Sequence, residues 1–146
     1  MFVEELLPKA RERLVTMADN GLLIEAAKLL EGRTELVIVC NSEGLLAGVI
    51  TKTDVVKQIS HCQGASCMAQ AAAVMTRDVL HCETRDALAA VWARLKQRGL
   101  KNIPVVDREC RPLGLLHARD ILQVLLSEAE SDEALLRDYV MGVGYR

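Results

Sequence analysis

The sequence is poor in aromatic residues and has no excess of positive charge. Of its 146 residues, one is Phe, one is Trp and two are Tyr, which is too few for a platform on which bases could stack. The 18 Lys and Arg residues are outnumbered by 20 Asp and Glu residues, whereas binding to a phosphate backbone depends on surplus positive charge. We therefore expect no nucleic acid among its partners.

Long apolar runs are missing as well. No stretch approaches the roughly eighteen apolar residues of a membrane span, and residues 1–5 carry acids where a signal peptide is basic and then apolar. The five cysteines are an odd number in a chain long enough to bury a core without disulfides. These features predict a cytoplasmic protein with reduced thiols and no membrane partner.

The motifs of common catalytic sites are also missing. The chain has no H-E-x-x-H, no G-x-x-x-x-G-K-[ST] and no G-x-G-x-x-G motif. Ser66 is not set between the two glycines of a hydrolase nucleophile, and the three histidines are spread along the chain. We therefore expect a binding module and not an enzyme.

A cluster of His and Cys leaves one alternative open. His61, Cys62 and Cys67 lie close together, and His81 and Cys82 follow. Imidazole and thiolate are zinc ligands, and two nearby thiols can form a disulfide on oxidation. The spacing differs from a tight C-x2-C pair, so scattered structural cysteines are the other interpretation. A redox or metal sensor remains an alternative function.

What the sequence does contain is a duplication. Residues 36–59 match residues 102–125 at a constant offset of 66, and the apolar pattern follows the identities. The identical pairs are Val39 and Val105, Glu43 and Glu109, Gly48 and Gly114, and Asp54 and Asp120. The chain therefore has two copies of one unit.

Each copy has the same order of local signals. An apolar helical pattern comes first, two strand-like runs joined by a turn follow, and a second helix ends the unit. The predicted helices are 22–30, with Asp19 and Asn20 as candidate caps, 51–60, one around 88–98 that stops at Gly99, and 118–126; the predicted strands are 36–40, 45–50, 103–106 and 113–116. Each copy is thus roughly β-α-β-β-α, and the fold class is α+β.

The predicted organisation has four parts. They are a first repeat with an N-terminal helix at 1–60, a linker at 61–73, a second repeat at 74–127, and a C-terminal helix and tail at 128–146, with Ser131 as the cap of that helix. A small sheet covered by helices on one face leaves its other face unburied, so the two repeats should pack together. The cleft between them is the natural position for a ligand.

The two repeats resemble the tandem cystathionine-β-synthase (CBS) domain pair, or Bateman module. The resemblance covers about residues 8–126 and is carried by Gly48-Val49-Ile50-Thr51-Lys52-Thr53-Asp54, Ile103-Pro104-Val105-Val106-Asp107 and Val74-Met75-Thr76. It implies repeats packed in pseudo-twofold fashion, a homodimer, and an adenosine compound such as AMP, ADP, ATP or S-adenosylmethionine in the clefts between repeats. It also implies regulation of an attached or partner protein, here unidentified, with the nucleotide as a regulatory ligand and no required cofactor.

Nine residues are candidates for binding this ligand. They are Val37, Thr51, Lys52, Asp54, Ile103, Pro104, His117, Arg119 and Asp120. A strand that runs into a helix presents free N–H groups and a positive dipole end, which suit a phosphate at Thr51 and at His117. A carboxylate can accept both ribose hydroxyls, which predicts this role for Asp54 and Asp120.

The remaining candidates supply charge and apolar contact. Lys52 and Arg119 can add positive charge near the phosphates. The adenine should pack against apolar strand ends near Val37 and Ile103, with Pro104 beside the latter.

The same junctions have an interpretation without a ligand. Thr51 and Asp54 have the spacing of a capping box, in which each satisfies a free donor of the first helical turn. His117 replaces the hydroxyl in the second copy while Asp120 is kept, which favours a ligand. A ligand-free interaction or dimerisation module is therefore the alternative from another class.

Overall fold

The computed structural model describes residues 1–61 and 68–140. A 3-10 turn at Val3–Leu6 and helix α1 (Leu7–Glu12) precede the first repeat. That repeat comprises β1 (Thr16–Ala18), α2 (Leu23–Leu29), β2 (Leu36–Cys40), β3 (Leu46–Thr51) and α3 (Lys52–His61). After α4 (Ala71–Val74), the second comprises β4 (Cys82–Glu83), α5 (Leu88–Arg98), β5 (Asn102–Val106), β6 (Pro112–His117) and α6 (Ala118–Val140).

The described residues form two three-stranded sheets of the same topology. In each, the first strand pairs parallel with the second and the second pairs antiparallel with the third, in the orders β1-β2-β3 and β4-β5-β6. Leu36 pairs with Thr51 and Asn102 pairs with His117, so the hairpin registers are also related by 66 residues. Both registers shift at one place, Val39/Cys40 in the first sheet and Val105/Val106 in the second. The predicted α+β fold of two equivalent repeats is confirmed.

Each repeat buries one face of its sheet under helices. The first core contains Val37, Val39 and Ile50 from the sheet, with Leu23 and Val55 from α2 and α3. The second core is built from the equivalent elements, with β5 and β6 covered by α5 and α6. A third, smaller cluster lies between the repeats and consists of Leu36, Ile38, Val49 and Leu115, with Leu14, Cys40, Leu46 and Val79 packed against it.

The segment that precedes each repeat packs against the core of the other repeat. Val3, Leu6 and Ala10, at the N-terminus, are buried in the core of the second repeat, whereas Ala71 and Met75 are buried in the core of the first. The backbone contacts correspond. Val3 N–H donates to the Asp86 carbonyl at 2.9 Å and Leu88 N–H to Met1, just as Ala71 N–H donates to Gly21 at 2.7 Å and Leu23 N–H to Ala69. We call residues 1–12 and 69–76 the two covering segments.

Close packing of these segments depends on glycine. A Cβ at Gly114 would lie 2.8 Å from the backbone carbon of Ala10, and one at Gly48 would lie 2.7 Å from the Thr76 carbonyl oxygen. Since real Cβ atoms do not approach backbone so closely, both positions need glycine for the covering segment to lie on the sheet. This explains why both glycines appear in the duplicated pattern.

Several predicted helix ends differ from the structure. The tail does not begin a new helix at Ser131, because α6 continues without a break from Ala118 to Val140. Asp19 and Asn20 do not cap α2, whose N-cap is Leu22, at the point where the chain pairs with Gln70. The predicted stop at Gly99 is confirmed by its left-handed conformation, φ 64°. Among the described residues, no helix has the length and apolar character needed to cross a membrane.

Candidate functional site: two clefts between the repeats

Two cavities of similar size lie between the repeats. The first cleft, of about 200 Å³, is lined by β3 and the start of α3, by the chain before β4, and by β5; it includes Thr51, Asp54, Thr76, Asp78 and Pro104. The second cleft, of about 190 Å³, includes Arg13, Arg33, Glu35, Leu115 and His117. Leu36 and Asn102 line both clefts and are related by the 66-residue offset.

Side-chain alternation decides which strand residues face the clefts. Val37 and Ile103 are fully buried in the two helix-covered cores, so the prediction that they pack against adenine is wrong. Their neighbours Leu36 and Asn102 point the other way, because successive side chains in a strand alternate between faces. Pro104, one alternation further along β5, does line the first cleft.

Asp54 is held at the edge of the first cleft by threonines. The Thr51 N–H donates to Asp54 Oδ2 at 2.9 Å, and the Thr51 hydroxyl donates to the same oxygen at 3.2 Å. The Asp54 N–H donates back to Thr51 Oγ1 at 3.3 Å, which completes a capping box. The Thr76 hydroxyl adds a contact to Asp54 Oδ1 at 3.3 Å. The Asp54 carboxylate therefore caps the start of α3 and also lines the first cleft.

Two predicted cations do not line either cleft. Lys52 is not among the residues that line the first cleft, and its Nζ donates to the Gly32 carbonyl oxygen at 3.3 Å. The side chain of Arg119 is exposed, and its backbone N–H donates to His117 Nδ1 at 3.0 Å. The predicted role of these residues beside phosphates has no support in their positions.

Asp120 differs from Asp54 in its partner and its burial. It is 6% exposed, and its Oδ2 lies 3.0 Å from Nε of Arg13, which follows α1. Arg13, and not Asp120, lines the second cleft. Asp120 is therefore paired with a cation that directly follows the N-terminal covering segment. Arg13 lies outside the duplicated stretch, so the repeat pattern carried no signal for it.

His117 caps α6 through its imidazole. Its Nδ1 accepts the Arg119 N–H, so the second repeat retains a capping side chain even though the hydroxyl is gone. The prediction that His117 removes the helix cap is therefore wrong. Burial is the main cause that lowers the pKa of His117 below its usual value of 6.5, although Glu35, with Oε2 3.7 Å from Nε2, acts in the opposite direction.

Glu35 joins the two repeats at the rim of the second cleft. Asn102 Nδ2 donates to Glu35 Oε2 at 3.0 Å, and this hydrogen bond is the main cause that lowers the pKa of Glu35. Because Glu35 precedes β2 and Asn102 begins β5, the contact connects the first repeat to the second.

The cysteine and histidine alternative finds little in the described part of the chain. Across residues 1–61 and 68–140, no group of three His, Cys, Asp or Glu side chains could hold a metal ion. Cys62 and Cys67 lie outside the described residues. Cys82 is buried in the second core, where desolvation raises its pKa to about 12. A thiol with so high a pKa stays protonated and is a poor metal ligand or nucleophile at neutral pH.

The two equivalent repeats and the clefts between them define a tandem-repeat α+β module. A family model for the CBS domain matches residues 3–61 and 71–127, which is more than half of the chain. The chain belongs to the CBS domain family and carries two tandem copies. The predicted resemblance to a CBS domain pair is thereby confirmed.

Solved structures of similar fold include two CBS domain proteins. The CBS-domain containing protein ATU1752 from Agrobacterium tumefaciens is 24% identical, with a TM-score of 0.70 over 84% of this chain and 91% of that chain. The CBS domain pair of protein MJ0100, in complex with 5′-methylthioadenosine and S-adenosyl-L-methionine, is 23% identical, with a TM-score of 0.71 over 88% of this chain and 98% of that chain.

Curated relatives are larger proteins. Homoserine O-acetyltransferase from Methanococcoides burtonii is 28% identical over 116 residues, which are 78% of this chain and 22% of that protein. The chain therefore spans 22% of the length of that relative, and the similarity concerns that portion alone.

Proposed function

We propose that the chain is a non-catalytic regulatory module that binds an adenosine-type ligand in the first cleft and transmits its occupancy to a partner protein. The observation that carries the proposal is the position of Asp54, a carboxylate at the edge of an apolar cleft between the two repeats. The cleft joins both repeats, so a ligand there can change how they sit against each other.

The chemistry of the cleft suits a nucleoside. Asp54 accepts hydrogen bonds only, and ribose offers two adjacent hydroxyl donors. The Thr76 hydroxyl, at 3.3 Å, can rotate away from Asp54 when a ribose hydroxyl takes its place. Leu36, Val49 and Pro104 supply apolar surface for the adenine ring. The complex of the MJ0100 domain pair with two adenosyl compounds supports the same class of ligand.

The test compares Asp54 with another acid that accepts the backbone N–H three residues before it. Asp86 Oδ2 accepts the Glu83 N–H at 2.9 Å and does not line the first cleft, so Asp86→Asn is a matched control for Asp54→Asn. Thermal shift against adenosine, 5′-methylthioadenosine, S-adenosylmethionine, AMP, ADP and ATP identifies ligands, since a ligand of the native state raises the midpoint with concentration. Calorimetry then measures affinity for each variant.

We expect at least one adenosine compound to stabilise the protein, with a large loss of affinity in Asp54→Asn and none in Asp86→Asn. If no compound shifts the midpoint, the ligand-free interaction module becomes the better function. Equal affinity in the wild type and in Asp54→Asn would place the ligand elsewhere and overturn the proposed site.

A homodimer is a second part of the proposal, and exposed apolar side chains support it. Val56 and Ile59 on α3 are 63% and 59% exposed, and Leu122 and Leu126 on α6 are 38% and 53% exposed. Val56 and Leu122 are related by the 66-residue offset, so both repeats present an apolar surface at corresponding helices. Light scattering on Val56→Lys and Leu122→Lys tests this: we expect a dimer in the wild type and monomers in the variants. A monomeric wild type would contradict it.

A further inference from the structure

We propose that the first cleft selects adenosyl ligands whose 5′ substituent carries no negative charge, such as a thioether or a sulfonium, against nucleotides, and that Asp78 is the specificity-determining residue. The inference rests on the proposed function and narrows the ligand class. It comes from the charges that surround the cleft.

The ionisable residues that line the first cleft are both acids. Asp54 lies at the junction of β3 and α3, and Asp78 lies at the mouth, with its side chain 86% exposed. A phosphate inside the cleft would lie near Asp54, and one that projected outward would lie near Asp78. Charges that lie closer together than the Debye length of about 8 Å at physiological salt are only partly screened from each other.

Two neighbouring cations contact backbone carbonyls outside the cleft lining, and a third pairs with Asp78. Lys52 Nζ contacts the Gly32 carbonyl at 3.3 Å, and Arg77 donates from Nη2 to the Ala72 carbonyl at 2.9 Å. Arg98 pairs with Asp78 at 3.0 Å on the exposed side and offsets part of its charge. The cleft therefore keeps a negative balance even after that pair is counted.

The helix start beside the cleft is already occupied by an anion. A free helix N-terminus would attract a phosphate, but the Asp54 carboxylate accepts the Thr51 N–H at 2.9 Å and places its own charge there. A ligand phosphate would have to compete with that carboxylate. A neutral or cationic 5′ group would avoid this competition, whereas the sequence motif predicts a phosphate at Thr51.

The second cleft differs at the position that corresponds to Asp78. Leu14 and Val79 occupy corresponding positions, because both pack against the cluster between the repeats. The residues that precede them, Arg13 and Asp78, therefore correspond as well. An arginine thus stands in one cleft where an aspartate stands in the other. The contrast makes Asp78 the residue to change.

The experiment measures the ratio of affinities for 5′-methylthioadenosine and AMP by calorimetry. In the wild type we expect the thioether to bind at least about tenfold more tightly. Asp78→Asn should reduce that ratio about three- to tenfold and Asp78→Lys should reduce it further, mainly by tighter AMP binding. Glu43→Gln, which removes one negative charge in an exposed turn away from the cleft, is the control and should leave the ratio unchanged.

The variant Asp54→Asn shows which cleft binds each compound. AMP binding that persists in this variant takes place outside the first cleft. If AMP binds the Asp54-dependent site as tightly as the thioether, or the Asp78 variants leave the ratio unchanged, the selectivity is overturned while the proposed function stands. If neither compound binds the wild type, the selectivity is overturned, and the proposed function is overturned with it only when the other four adenosine compounds also fail to bind.

Discussion

Cys110 has a left-handed backbone conformation that L-residues with a side chain rarely adopt. Its φ is 69°, and Gly44, the corresponding residue of the first repeat, has φ 80°. The two turns are otherwise alike, since Asn41 Oδ1 and Asp107 Oδ1 each accept two backbone N–H groups. The first repeat therefore has glycine at this left-handed position, whereas the second has cysteine.

We predict that Cys110→Gly stabilises the protein by about 0.5–1 kcal/mol. The relief of the left-handed strain, about 1–2 kcal/mol, exceeds the entropy that glycine adds to the unfolded chain. Urea denaturation under reducing conditions measures the change. Gly44→Ala is the reciprocal control and should destabilise by about 1 kcal/mol or more; a destabilised Cys110→Gly would contradict the prediction.

His117 makes stability depend on pH in a defined window. Its pKa is lowered in the folded state, so the unfolded chain binds the proton more readily. Stability from this group is complete above about pH 6.5 and is lost as the pH falls through the folded value. Burial of the imidazole is the main cause of the lowered pKa. Protonation of Nδ1 would in addition remove the acceptor of the Arg119 N–H.

Denaturation curves between pH 7.5 and 5.5 test this window. The wild type should lose stability on acidification, and His117→Thr, which supplies the hydroxyl cap found at Thr51, should lose less. Glu35 does not confuse the result, because its lowered pKa places its titration below 4.5. Parallel loss in both proteins would show that His117 is not the titrating group.

At the scale of elements, the N-terminal covering segment stabilises the second repeat. Leu6 is 8% exposed and lies in the second core, so Leu6→Ala should destabilise the protein by about 2–4 kcal/mol. Ile24→Ala, at a position 41% exposed on α2, should cost less than about 1 kcal/mol. Hydrogen exchange should show faster opening of β5 and β6 in Leu6→Ala, before β2 and β3; equal opening of both sheets would contradict this.

The hairpins and their helices could be predicted because the apolar periods and the 66-residue offset support each other. β1 and β4 have three and two residues, which is too short for a period to show. Ser131 has the features of a helix cap, but α6 already runs through it, and a residue inside a continuous helix has no free N–H to cap.

The site was predictable only in part, for a similar reason. Thr51 and Asp54 follow from the motif at the strand-to-helix junction, and the structure brings them together. The run 36–40 is apolar at every position, so no alternation distinguishes Leu36 on the cleft face from Val37 in the core. Arg13 and Asp78 lie outside the matched stretches 36–59 and 102–125 and reach the clefts through long-range packing.

At the scale of the whole molecule, the Arg13–Asp120 pair makes the two clefts unequal. Since Asp120 corresponds to Asp54, we predict that the wild type binds one adenosyl ligand per chain and that Arg13→Ala exposes a second site. Calorimetric stoichiometry with 5′-methylthioadenosine should rise from about one toward two. The double variant Arg13→Ala with Asp120→Asn should return it to one; a stoichiometry of one in Arg13→Ala would contradict the prediction.

The exchanged covering segments have a consequence for how such a fold can assemble. A chain with one repeat and its own preceding segment would leave its sheet uncovered, because the segment lies on the other repeat. It would need a second molecule, and its folding would depend on protein concentration. Joining two repeats in one chain replaces that bimolecular encounter by an intramolecular one, for which the effective concentration can reach about the millimolar range. The tandem arrangement thus makes the stability of each repeat independent of how much protein the cell contains.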